Sequence, residues 1–310
     1  MKYISTRGNA PEIRAAEAIV AGMAGDGGLF VPTEIPKITS EFIAELARDK
    51  YAGRAERVLR LFLDDYTASE LAGCIARAYD KGKFDDTRVA PTRSVGDMTL
   101  LELWHGPTSA FKDMALQLLP QLLSVALQKI GEKREILILT ATSGDTGKAA
   151  LAGFSDVPQT KIMVFYPAGG VSQIQRLQMT TQTGGNVAVV AVEGNFDDAQ
   201  RGVKTIFNDA ALNSELSAAQ VKLSSANSIN WGRLAPQIIY YFSAYADLLN
   251  MGKIKNGDAV NFTVPTGNFG NILAGFYARQ MGLPVGRVSF WGTGKRAPLA
   301  TGLNVGNPGA

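Results

Sequence analysis

The spacing of apolar positions changes near residue 90. Upstream, apolar residues recur at helical intervals: EIRAAEAIVAGM follows Pro11, EFIAELARD follows Ser40, and ASELAGCIARAY follows Thr67. Thr67 with Glu70 is a capping-box pattern, in which each side chain satisfies a backbone amide left free at a helix start. Between the first two helical patterns, Gly25-Asp26-Gly27-Gly28-Leu29-Phe30-Val31-Pro32 reads as a tight turn. Downstream, the runs at 98–104, 134–141, 161–168, 186–194, 219–224, 259–265 and 287–292 predict strands. Most are continuously apolar, as strands of a parallel sheet covered on both faces are. Helical patterns lie between them, among them SQIQRLQMTTQT, FDDAQRGVKTIFNDAAL and WGRLAPQIIYYFSAYADLL. This alternation predicts right-handed βαβ units, and so an α/β fold of open, mostly parallel sheets with flanking helices. The expected division is a helical N-terminal region over 1–90 and an α/β region of two lobes over 91–310.

Composition narrows the function. A net charge of +3 over 310 residues gives no reason to expect nucleic acid or an anionic membrane as partner. No stretch has the length of a membrane span, and the N-terminus has no long apolar segment of a secretory signal, so the expected compartment is the cytoplasm. The single cysteine, Cys74, can form no internal disulfide and reads as core filling. The single histidine, His105, excludes metal sites built on several histidines, and no metal is expected. As a hydrolytic base it would need a G-x-S-x-G elbow, which is absent, and in His105-Gly106-Pro107 it reads slightly better as a turn residue.

In open parallel sheets, ligands bind beyond the carboxyl ends of the strands. Gly106-Pro107 ends the apolar run at 98–104, and Thr108 or Ser109 can cap a long apolar helix that follows. Lys112 then falls in the first helical turn, where the macrodipole disfavours an ammonium and lowers its pKa. Such an amine can attack a carbonyl and hold an imine, although a solvated lysine paired with a carboxylate would look the same in sequence. Three further loops follow predicted strands and precede helices. Thr142-Ser143-Gly144-Asp145-Thr146-Gly147 offers glycines and hydroxyls at a helix start, either as an anion cradle or as a capped βα turn. Pro265-Thr266-Gly267-Asn268-Phe269-Gly270-Asn271 lets successive amides face one anion, though it has neither P-loop nor dinucleotide spacing. Ser224 to Arg233 sets amides and hydroxyls before an arginine whose fork suits a carboxylate or phosphate.

Taken together, these stretches resemble the threonine synthases, pyridoxal-phosphate enzymes of the tryptophan-synthase-β (type II) fold. The matching residues are Tyr3 to Gly8, Asp26 to Pro32, His105 to Thr108, Phe111-Lys112-Asp113, Thr142 to Gly147, Glu193 to Asp197, Asn227 to Arg233 and Gly267 to Asn271. The resemblance implies that Lys112 holds pyridoxal 5'-phosphate as a Schiff base and later moves protons on the substrate. It implies that Gly267, Asn268, Phe269, Gly270 and Asn271 wrap the cofactor phosphate. Ser143, Gly144, Asp145 and Thr146 would face the substrate carboxylate or phosphate, with Asn195, Asn227 and Arg233 as further substrate contacts. The implied reaction converts O-phospho-L-homoserine and water into L-threonine and phosphate, carried out by a monomer or homodimer. The match ends near Gly286. The Gly-, Ala- and Pro-rich remainder reads as loop, while family members continue for a substantial further stretch carrying the hydroxyl that meets the pyridine nitrogen. The expectation is therefore a chain shortened at its C-terminus, with weak or no activity or incomplete folding. The residues leave open another type II enzyme, such as a hydroxy-amino-acid dehydratase, or a non-catalytic relative that binds the cofactor or an anion.

Overall fold

A computed structural model describes residues 1–80, 82–266 and 269–292. Helices dominate its first part, as the helical spacing predicts. They are α1 (Ala15–Ala21), α2 (Ser40–Arg48), α3 (Tyr51–Arg60) and α4 (Ala68–Ala78). The capping box on α4 forms, with Thr67 and Glu70 each satisfying the other's amide. On α2 the cap is Thr39, whose side chain accepts from the Phe42 amide, not Ser40, which begins the helix. Two short strands are also present, β1 (Tyr3–Ser5) and β2 (Phe30–Pro32), paired antiparallel. Neither was expected, because three residues carry no readable period and their pairing is long-range.

The apolar run at 98–104 is only partly a strand. β3 (Thr92–Val95) and β4 (Met98–Leu101) form an antiparallel hairpin apart from the other sheets. It leaves Val95, Met98 and Leu100 exposed, where a buried strand was expected.

The long helix predicted from Thr108 is broken. α5 (Asp113–Leu116) is a single turn, and α6 (Leu119–Ile130) restarts with Pro120 in its first turn. Proline has no N–H to give the carbonyl four residues back, and its ring crowds that carbonyl. Here that carbonyl belongs to Leu116, where α5 stops. The helix α7 (Asp145–Phe154) then packs close to this break: a Cβ on Gly153 would sit 2.0 Å from the Leu116 carbonyl oxygen.

The main sheet is parallel, in the order β7 (Val187–Val192), β6 (Thr160–Pro167), β5 (Glu135–Ala141), β8 (Val221–Ser225). Its connections are α7, α8 (Gln173–Thr180), α9 (Phe196–Asn208) and α10 (Ala210–Ala218). The pattern read as one helix across 196–212 divides at Asp209, whose side chain caps α10. A second parallel pair joins β9 (Val260–Thr266) to β10 (Val285–Gly292). The chain passes from β8 to β9 through α11 (Trp231–Asn250), buried along most of its length, and from β9 to β10 through α12 (Gly270–Met281). The α/β class with open parallel sheets and flanking helices is what the chain adopts.

Candidate functional site

The site is assembled where β5 and β8 end. β5 leads into the Thr142 loop and α7. The Thr142 hydroxyl accepts from the amides of Gly144 and Gly147, at 2.9 and 2.8 Å. This capping fixes the loop at the helix start, where unpaired amides and the dipole favour an anion. Gly144 takes a φ of +135°, open to glycine and strained for other residues. Ser143 is exposed, Asp145 half-buried, and Thr146 buried.

Lys112 is not inside a helical turn. It is the residue flanking the four-residue helix α5, with αR backbone. Its side chain is 13 % exposed and lies across from Asp145, with Nζ 3.4 Å from Oδ2. Nζ also lies 4.9 Å from the centre of the Phe111 ring. The amine's pKa is lowered. Burial is the main cause; Asp145 opposes it, while the charges of Arg233 and Lys148 reinforce it. The direction matches the sequence-based expectation, but the leading cause is desolvation. Asp145 in turn has its carboxyl held below the ordinary range: burial pushes it up, and the opposing effects of Lys112, Gln175 and Lys148 prevail. Gln175 of α8 donates to Asp145 Oδ1 at 2.7 Å and accepts from the Ser172 amide at 3.1 Å. The carboxylate thus turns its other oxygen toward Lys112.

Arg233, at the start of α11, is 3 % exposed. It donates from Nη1 to the Ala226 carbonyl at 2.6 Å and more weakly from Nη2 to the Thr146 hydroxyl at 3.5 Å. Its Nε has no acceptor, and no carboxylate pairs with it among the described residues. Burial lowers its pKa to about 10. A buried guanidinium without an anion is costly, and an anionic ligand would relieve that cost. Asn227 donates to the Ala141 carbonyl at 3.1 Å, joining its loop to the end of β5. The third loop lies alongside: a Cβ on Gly270 would stand 3.3 Å from the Ser228 hydroxyl. Phe269 flanks α12 and is exposed, and Asn271 is buried, donating to the Pro265 carbonyl. Gly267 and Asn268 fall outside the described residues.

Contacts therefore connect Lys112 to Asp145, Thr146 to Arg233, and the loop of Asn227 and Ser228 to both Ala141 and Gly270. Asn195 is different. It is exposed and caps α9, its oxygen accepting from the amides of Asp197 and Asp198. Two residues around the Lys112–Asp145 pair were missed in sequence. Gln175 sat in an ordinary helical pattern thirty residues from Asp145, and Lys148 gave no sign that it would be buried.

The comparisons agree with this architecture. Residues 2–79 match the family model described as "Threonine synthase N terminus". The chain is 45% identical over 296 residues to a threonine synthase of Pseudomonas aeruginosa, covering 93% of this chain and 59% of the relative. It is 41% identical over 293 residues to a threonine synthase of Schizosaccharomyces pombe, covering 92% and 55%. The crystal structure of PLP-bound threonine synthase from Brucella melitensis superposes with a TM-score of 0.82 at 43% identity, covering 94% of this chain and 60% of that one. The chain thus spans less than two thirds of the length of these relatives. Over the part it shares with them, the chain is similar to threonine synthases in both sequence and fold.

Proposed function

We propose that this chain carries pyridoxal 5'-phosphate on Lys112 and acts as a threonine synthase, turning O-phospho-L-homoserine and water into L-threonine and phosphate. The observation that supports it most is the Lys112 amine: largely buried, lowered in pKa, and facing Asp145 beside the start of α7. When bound, the cofactor withdraws electrons from the substrate carbons. The remaining work falls to side chains. Lys112 Nζ, once parted from Asp145, accepts and returns protons at the substrate carbons, for which a lowered pKa suits it. Ser143, Gly144, Asp145 and Thr146 line the start of α7, which suits the substrate carboxylate or phosphate. Arg233 brings a buried positive charge with an N–H left for an anionic oxygen, which favours departure of phosphate from Cγ while water adds at Cβ. Asn227 and Asn195 are further substrate contacts in this reading. Gly267 to Asn271 would wrap the cofactor phosphate, on the strength of the family resemblance and the position of Gly270 beside Ser228. The partner is a small molecule, the chain acts as a monomer or homodimer, and the compartment is the cytoplasm.

Purified chain should be yellow, and borohydride followed by peptide mapping should fix the cofactor on Lys112. O-phospho-L-homoserine should yield phosphate and threonine. A colourless protein, or a cofactor fixed on a different lysine, would overturn the assignment of Lys112. Release of a 2-keto acid would favour a dehydratase, and a yellow protein without phosphate release a cofactor-binding relative.

A further inference from the structure

Lys148 lies in the first turn of α7, three residues after Asp145, and is 8 % exposed. Lysines are seldom buried to this degree unless paired with a carboxylate, and no ion pair to Lys148 is present among the described residues. Its Nζ donates instead to the Thr108 carbonyl at 2.8 Å. Thr108 is fixed from its other side, because Asp113 accepts from its amide at 2.8 Å and from its hydroxyl at 2.7 Å. Lys148 and Asp113 therefore clamp the turn that leads into Lys112. A neutral donor could make the same bond to a carbonyl without the cost of desolvating an ammonium. The charge acts on the site: it lowers the pKa of Lys112 and of Asp145. The other charges acting on Lys112 are Asp145, from the same helix, and Arg233 from α11. Asp113, next in sequence, turns its carboxylate to Thr108.

We propose that Lys148 is a positioning residue for Lys112: it ties the loop bearing that lysine to α7 and sets a second positive charge beside its amine. The purpose of this arrangement rests on Lys112 being the cofactor lysine, but its test does not need the cofactor. The full chain, freed of cofactor with hydroxylamine, would be labelled with acetic anhydride across a pH series, with labelling of Lys112 read by peptide mass spectrometry. In Lys148→Met, the half-labelling pH of Lys112 should rise by roughly half a unit or more, since a neighbouring like charge is gone. Labelling below that midpoint should then slow about threefold. Lys148→Arg, which keeps the charge, should hold the midpoint near the parent value. If Lys148→Met does not fold, Lys148→Gln, which keeps a donor for Thr108, gives the same comparison. A midpoint unmoved by loss of the charge, or moved equally by the arginine, overturns the proposal. Failure of borohydride to fix cofactor on Lys112 would instead defeat the functional reading and leave this comparison standing.

Discussion

His105 sits between two carboxylates, with Nδ1 2.5 Å from Asp85 Oδ1 and Nε2 2.9 Å from Glu102 Oε2. Arg93 holds the far oxygen of Glu102 at 3.0 Å. Burial disfavours charge on the ring, but the hydrogen bonds to Glu102 and Asp85 prevail, and its pKa is raised above 6.5. A raised folded value means that protonated His105 stabilises the fold fully below the unfolded pKa, roughly 6.5. That stability is lost as pH rises through the folded value. Because Asp85 is 78% exposed, the effect should be no more than about 1 kcal/mol. His105→Gln should therefore lower the urea midpoint at pH 5.5 and have much less effect above pH 8. An equal loss at both pH values would refute the ion-pair account. Sequence showed this histidine as a turn residue after a strand. It could not show the bond to Asp85, which lies twenty residues away. Lys112 is the converse case. The sequence pointed to a lysine of lowered pKa through a helix dipole, whereas the structure supplies burial and only one helical turn.

The elements most visible in sequence are those whose side chains share one environment. Strands β5 and β6 are largely buried apolar runs, whereas β9 alternates exposed with half-buried residues; the observed bounds of β5 to β10 stay close to the runs at 134–141, 161–168, 186–194, 219–224, 259–265 and 287–292. Breaks within apolar runs were less visible. The α5–α6 break lies inside a largely apolar stretch, where Pro120 was the main signal. It matters to the site because Lys112 stands at the head of α5 and Asp145 at the head of α7, and the two helices approach closely at Leu116 and Gly153. In an open helix interior, replacing glycine by alanine gains about 1 kcal/mol. At Gly153 the new methyl would meet the Leu116 carbonyl oxygen at 2.0 Å, so backbone must move. Gly153→Ala should cost about 2 kcal/mol, as overpacking does. It should also separate α7 from α5, weakening the Lys112–Asp145 pair. Urea denaturation measures the first effect, and a neutral or stabilising result would show that the helices yield without cost.

At the scale of the molecule, the core is built around α11. Trp231 at its head packs on the rings of Tyr3, Phe62 and Tyr277, with centroids 5.3 to 5.5 Å apart. The Tyr3 hydroxyl is spent on the Phe62 carbonyl. Further along, Arg54 of α3 reaches the Ser243 hydroxyl and pairs with Asp247 at 2.6 Å. The N-terminal helices are thus joined by apolar contact and by a largely buried ion pair to the helix whose start carries Arg233. One continuous core cluster runs from Tyr3 to Val288. The other face of the main sheet is thinner. Its cluster has five buried residues, among them Leu139, Ala199 and Leu223, and α10 has no buried residue at all. Opening energies follow buried apolar contact, so stability should be graded across the sheet. In native-state hydrogen exchange, α10 amides should exchange through local opening that is insensitive to low denaturant. Amides of α11 and the central strand β5 should need an opening close to global unfolding. Equal protection of α10 and α11 would mean that the sheet's second face is held as firmly as the first, against the distribution of burial. The gradient also bears on the site, because Lys112, Asp145 and Arg233 all project from elements packed into the larger cluster. Loosening of α10 should therefore leave the Lys112–Asp145 pair intact.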